Sequence, residues 1–167
     1  MSRTVLRQSS LVFLYAGSLV LFGISVYTHS LVFALLGLPF FAVTVSALHE
    51  FGHALGCVAQ KAKITRIQTA LFTIENRRFH IHERPVFGGY CGFIKSENDA
   101  LVYLGGPLAS AVCFGLCLAW LLLTAPNPAA LLFTCTAGVH VAKNCLPFGH
   151  HDLHLFIKEI KKGASKL

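Results

Sequence analysis

His49 and His53 bracket Glu50 in the string His49-Glu50-Phe51-Gly52-His53, which lies inside an apolar run. Positions i and i+4 of a helix share one face, so both imidazoles can point at one metal ion. Glu50 sits beside that face, where its carboxylate can take a proton from a water held by the metal. From Leu31 to Val58 the chain carries no other Asp, Glu, Lys, Arg or His. Two imidazoles and a carboxylate placed in hydrocarbon are costly unless they find partners, which marks them as functional. The competing reading, a chance match satisfied by local hydrogen bonds, leaves that cost unexplained.

The elements that must position these residues are membrane helices. Of the 167 residues, 54% are hydrophobic and 13% charged, and the mean hydropathy is +0.64. A soluble chain usually carries about 25% charged residues. The length allows about four spans of about 20 residues each with a small polar part. We therefore expect a single integral-membrane domain over 1–167, mainly α, with spans at about 10–28, 31–59, 100–124 and 129–146. Arg3 and Arg7 precede the apolar stretch Leu11 to Tyr27. That stretch exceeds a signal-peptide core and no small-residue cleavage site follows, so it reads as a retained span. Between the second and third spans, residues 61–98 mix Ile, Thr and Arg, and Phe79-His80-Ile81-His82 alternates strictly. That pattern predicts a small β-hairpin or sheet, with turns at Glu75-Asn76 and at Gly88-Gly89-Tyr90 and with His80 and His82 in solvent. Residues 152–162 form an amphipathic helix with Leu153, Phe156, Ile157 and Ile160 on one face and lysines opposite, suited to a membrane surface.

Net charge is +7, but the basic residues flank apolar spans instead of forming one module with aromatics, which argues against nucleic acid. They act as topology determinants. Arg3 and Arg7, the segment from Lys61 to Lys95, and the run Lys158 to Lys166 hold nearly all of them, while His29-Ser30 and Ala125 to Pro128 have none. Both termini and the strand-rich segment are thus expected in the cytoplasm, with His49 and His53 toward the cytoplasmic end of the second span of a multi-pass, inner-membrane protein. Six cysteines are scattered without a CxxC pair and read as small buried hydrophobes.

A catalytic zinc usually takes three protein ligands and leaves a fourth position for water. Two histidines are in hand. Beyond the fourth span stands Asn144-Cys145-Leu146-Pro147-Phe148-Gly149-His150-His151-Asp152, which offers Asp152, His150 and His151. At these residues the chain resembles the site-2 protease family of intramembrane zinc metalloproteases, in a minimal core without a PDZ or CBS domain. That family pairs HExxH on one span with Asn-x-x-Pro-x-x-x-x-Asp on a later one, and Asn144, Pro147 and Asp152 match that spacing. Gly105-Gly106-Pro107-Leu108-Ala109 and Gly88-Gly89-Tyr90 match further strings of the family, so the resemblance covers about Leu31 to Leu153. Leu153 departs from a usual Gly, and Ser110 stands where Asn is common.

The resemblance implies one zinc held by His49, His53 and Asp152, with Glu50 as the catalytic base and then the acid toward the leaving amine. It implies that Asn144 holds substrate backbone or stabilises an oxyanion. His140, one helical turn before Asn144, and His151 are expected to support the ligands, and Gly105 and Gly106 to allow close helix packing. The implied activity is cleavage of a membrane-spanning protein near the cytoplasmic face. The implied partners are that substrate, the lipid bilayer and a regulatory membrane protein. A catalytically inactive relative that binds a membrane client and a metal-ion transporter are the alternatives. Four spans with one polar cluster near one face offer little of a path across the membrane.

Overall fold

A computed structural model describes residues 3–83, 88–94, 99–124, 127–146 and 151–164. Among these, the elements run α1 (Arg3–Thr28), α2 (Leu31–Ala59), β1 (Lys63–Gln68), β2 (Phe72–Glu75), β3 (Arg78–Ile81), β4 (Tyr90–Ile94), α3 (Ala100–Leu123), α4 (Pro128–Asn144) and α5 (Asp152–Ala164). Among the described residues, three helices are long and apolar enough to cross a membrane: Arg7–Thr28 within α1, all of α2, and all of α3. Their large side chains lie mostly on the outside, Phe13, Leu55, Leu116 and Leu122 among them. Such a surface suits lipid, and these helices mark a membrane protein.

The helix bounds differ from the sequence expectation in two places. The first helix already starts at Arg3, ahead of the expected span at residue 10. The fourth is shorter than expected: α4 has 17 residues, about 26 Å of helix, against a hydrocarbon layer of about 30 Å. It stops at Asn144, with the Cys145 N–H closing the last turn on the Val141 carbonyl at 2.9 Å. Pro147, on which the expected end at residue 146 rested, lies outside the described residues.

The long helix α2 is the hub and packs on α1, α3 and α4. Its contact with α3 is close because both sides are glycine: a Cβ on Gly52 would overlap the Gly105 carbonyl, and one on Gly105 would overlap that of Gly52. Small residues at such a seam let two backbones approach in a membrane. Toward the other end, Phe22, Phe41 and Phe133 interlock with ring centroids 4.8–6.0 Å apart, joined by Val45, Ala34, Ala137 and Trp120. Beyond them, Asn127 caps α4 by accepting from Ala129 and Ala130 N–H at 3.0 and 3.2 Å, and its amide meets His29 Nδ1 at 2.6 Å. The two short connections without Lys or Arg therefore meet at one end of the bundle.

At the opposite end sits a four-stranded antiparallel sheet in the order β3-β2-β1-β4, with β1 and β4 against α2. The expected hairpin is present, but its turn lies one residue later. Glu75 still pairs with Arg78, and Asn76 and Arg77 turn the chain with φ of 50° and 65°, as a two-residue hairpin with right-handed twist requires. Tyr90, expected in a turn, opens β4 and pairs with Gln68. His80 is exposed as expected. His82 is not simply solvated: its Nε2 lies 2.7 Å from Thr73 Oγ1. Gln8 near the start of α1 donates to the Ile81 carbonyl at 3.0 Å, so the N-terminus lies at the sheet end.

Candidate metal centre

His49, Glu50 and His53 are 5–7% exposed, although much of α2 faces outward. They occupy the stripe of α2 that lodges against α3, where Gly106 leaves the room. A Cβ on Gly106 would overlap His53 Nε2 and press on the His49 ring. The His53 ring is aimed by its far nitrogen: Nδ1 lies 2.6 Å from the Val102 carbonyl on α3. A carbonyl only accepts, so Nδ1 carries the hydrogen and Nε2 presents its lone pair inward.

Asp152 completes the group from α5. It is the first residue of that helix, a position where a carboxylate is favoured, and α5 packs on α3. Its Oδ2 is 2.9 Å from His49 Nε2 and 3.4 Å from His53 Nε2, and the two Nε2 atoms are 3.1 Å apart. Burial alone would raise the Asp152 carboxyl. Its contacts with His49 and His53 outweigh that effect and hold it well below the usual carboxylate range.

This donor set fits a metal ion. Ligands at about 2.0–2.2 Å from a tetrahedral zinc lie about 3.3 Å from one another, and the three edges here are 2.9, 3.1 and 3.4 Å. Without a cation, one imidazole lone pair faces the other ring nitrogen and a carboxylate oxygen, and a single shared hydrogen must serve all three. A cation satisfies them together. Among the described residues this trio is the group of His, Cys, Asp or Glu side chains arranged to hold a metal.

The trio opens on a cavity of about 500 Å³ whose wall includes Glu50, Tyr90, Cys91, Tyr103, Asn144 and His151. Glu50 lies against Gly89, where a Cβ would overlap its carboxylate. Gly89 thus lets the chain entering β4 lie across the carboxylate. Cys91 faces the cavity as a thiol, pushed up to about 12 chiefly by burial and then by Cys57 and Glu50.

The remaining sequence candidates divide. His140 stands edge-on to His49 with ring centroids 5.3 Å apart, in a supporting place. Asn144 Nδ2 lies 3.0 Å from the carbonyl of His140, 3.2 Å from its Nδ1, and 3.5 Å from His49 Nδ1. His151 reaches the cavity wall but is not part of the trio. His150 lies outside the described residues. Ser110, marked in the sequence only as a departure, is fully buried with Oγ 2.9 Å from His49 Nδ1 and 3.3 Å from His140 Nδ1. Its position four residues after Gly106, on the same helical face, was the available signal. The Val102 carbonyl had no signal, because a backbone acceptor leaves no residue type to notice.

The fold and site together define a membrane protein in which two buried histidines meet one half-buried carboxylate. No family model, curated protein or solved structure matches the chain.

Proposed function

We propose that this chain is a zinc-dependent intramembrane endopeptidase that cuts a membrane-spanning protein near the cytoplasmic face. The observation that carries the reading is the convergence of His49 Nε2 and His53 Nε2, on the apolar, membrane-length α2, with Asp152 Oδ2 from α5, beside Glu50 in one cavity. His49, His53 and Asp152 hold the ion in this reading. A zinc ion held there would act as a Lewis acid and lower the pKa of a water toward about 7. Glu50 accepts the proton of the attacking water and returns it to the leaving amine. Asn144 directs its amide hydrogens at His140, so its service to a substrate runs through Oδ1, which can accept a backbone N–H. A helical substrate must unwind to present its scissile carbonyl, and β4, the outer strand of the sheet beside the cavity, offers an edge for the unwound segment.

In this reading α4 is a fourth span, with Lys143 at its last turn reaching to the interface. The sheet and both termini are cytoplasmic. A cysteine at Thr28 labelled from outside, with one at Lys162 protected, is the expected pattern in a background without native cysteines. The reverse pattern contradicts the orientation.

The test of the activity is Glu50→Gln in purified protein with a membrane-spanning reporter. Bound zinc stays at the wild-type level, and turnover falls by at least about 10²–10⁴-fold, the scale of a lost proton acceptor. Cleavage near the wild-type rate with Gln at position 50 contradicts the mechanism.

A further inference from the structure

The hydrogen bonds behind His49 have a direction, and it follows from which atoms can only accept. The His140 backbone carbonyl accepts from Asn144 Nδ2 at 3.0 Å, which fixes the orientation of the Asn144 amide. For the second amide hydrogen the nearer acceptor is His140 Nδ1 at 3.2 Å, ahead of His49 Nδ1 at 3.5 Å. That nitrogen must accept, so His140 is neutral and carries its hydrogen on Nε2. Between the two imidazoles lies Ser110 Oγ, 2.9 Å from His49 Nδ1 and 3.3 Å from His140 Nδ1.

His49 has two neutral forms, and the surroundings treat them differently. Without a metal, a hydrogen on Nε2 is donated to Asp152 Oδ2 at 2.9 Å, and Nδ1 is an acceptor. With a metal on Nε2, the hydrogen must sit on Nδ1 and needs an acceptor of its own. Asn144 Nδ2 is a donor 3.5 Å away and cannot serve. Ser110 Oγ can.

We infer that Ser110 is the switchable partner that lets His49 become a metal ligand. Its hydroxyl donates to His49 Nδ1 in the metal-free protein. Once His49 donates to it, the hydroxyl turns toward His140 Nδ1, whose lone pair it shares with the Asn144 amide. One hydroxyl rotation serves both forms. Ser110 and His140 are thus positioning residues on α3 and α4 for a ligand on α2. The inference rests on His49 being a metal ligand but not on peptide hydrolysis.

The experiment uses full-length protein in detergent, with zinc affinity read by chelator competition and the visible spectrum of the cobalt-substituted form. Among the described residues, Ser110→Ala leaves only the donor Asn144 near His49 Nδ1, which favours the non-ligating form. Affinity drops about 10–100-fold, the range for loss of a ligand's supporting partner. Thermal unfolding of the metal-free protein changes little, which separates this effect from misfolding. Ser110→Thr, which keeps the hydroxyl, restores most of the affinity. Adding His140→Leu to Ser110→Ala costs little more, because both act through one chain. Nitrogen-15 spectra of labelled histidine place the His49 hydrogen on Nε2 without zinc and on Nδ1 with it. Wild-type affinity in Ser110→Ala, or a His49 hydrogen on Nδ1 in both states, overturns the inference while leaving the metal site standing. Absence of zinc binding by the wild type overturns the metal reading and this inference together. Zinc binding without proteolysis overturns only the proposed activity.

Discussion

Helices α2, α3 and α4 meet twice along their length, and the two meetings are built on opposite principles. In the tier of Phe41, Val45, Phe133 and Ala137, with Phe22 from α1 and Trp120 from α3, apolar side chains fill space. A few residues further along the same helices, His49, His53, Ser110, His140 and Asn144 meet through directional bonds of 2.9–3.5 Å. Dispersion contacts are individually small and tolerate a lost atom by degrees. A buried polar network fails when one member loses its partner, because the remaining group is costly in a low-dielectric setting. The apolar tier therefore sets how stable the bundle is, and the polar tier sets whether three donor atoms converge.

Gly106→Ala should separate the tiers most sharply. The added methyl collides with the His49 and His53 imidazoles, so on the proposed metal site zinc affinity by chelator competition should fall more than about 100-fold, beyond the loss expected for a mere supporting partner. Unfolding of the metal-free protein should shift little. A large loss of stability with affinity intact would show that Gly106 serves helix packing alone. The mirror image is Phe133→Ala. Phe133 is fully buried and touches three other aromatic rings. Its truncation should cost about 3 kcal/mol in denaturant unfolding, with the cobalt spectrum of the metal site unchanged. A changed spectrum would mean that the tiers are mechanically coupled. The smallest effect belongs to Asn127→Ala, at the end farthest from the site. Loss of the cap on α4 should cost about 1 kcal/mol and leave zinc affinity alone, as measured by the same two assays.

The same contrast explains how far the sequence could be read. Polar residues in an apolar run are conspicuous, so His49, Glu50 and His53 stood out at once, while Asp152 was singled out from His150 and His151 only by what the family resemblance implies. The short connection at His29-Ser30 was visible as a break between apolar runs. The apolar tier was not visible, because in the sequence Phe22, Phe41 and Phe133 look no different from Phe13 and Phe51, which are exposed on α1 and α2. Periodicity cannot tell a ring packed on another helix from one packed on an acyl chain. The end of α4 was misplaced for a related reason: hydropathy continues past Asn144 while the backbone does not. The strand-rich segment was legible as strands, but its turn moved by one residue because Asn76-Arg77 lacks the glycine that usually announces such a turn. Ser110 was noticed only as a departure, and its two imidazole partners could be seen only once three helices were brought together.

The central claim is that Asp152, and not a neighbouring histidine, joins His49 and His53. Zinc stoichiometry after exhaustive dialysis, compared across wild type, Asp152→Ala, His150→Ala and His151→Ala, tests it most directly. The account predicts one tightly held zinc per chain in wild type and in both histidine variants, and none in Asp152→Ala. Full zinc in Asp152→Ala, with loss in His151→Ala, would contradict it and make the site a histidine triad.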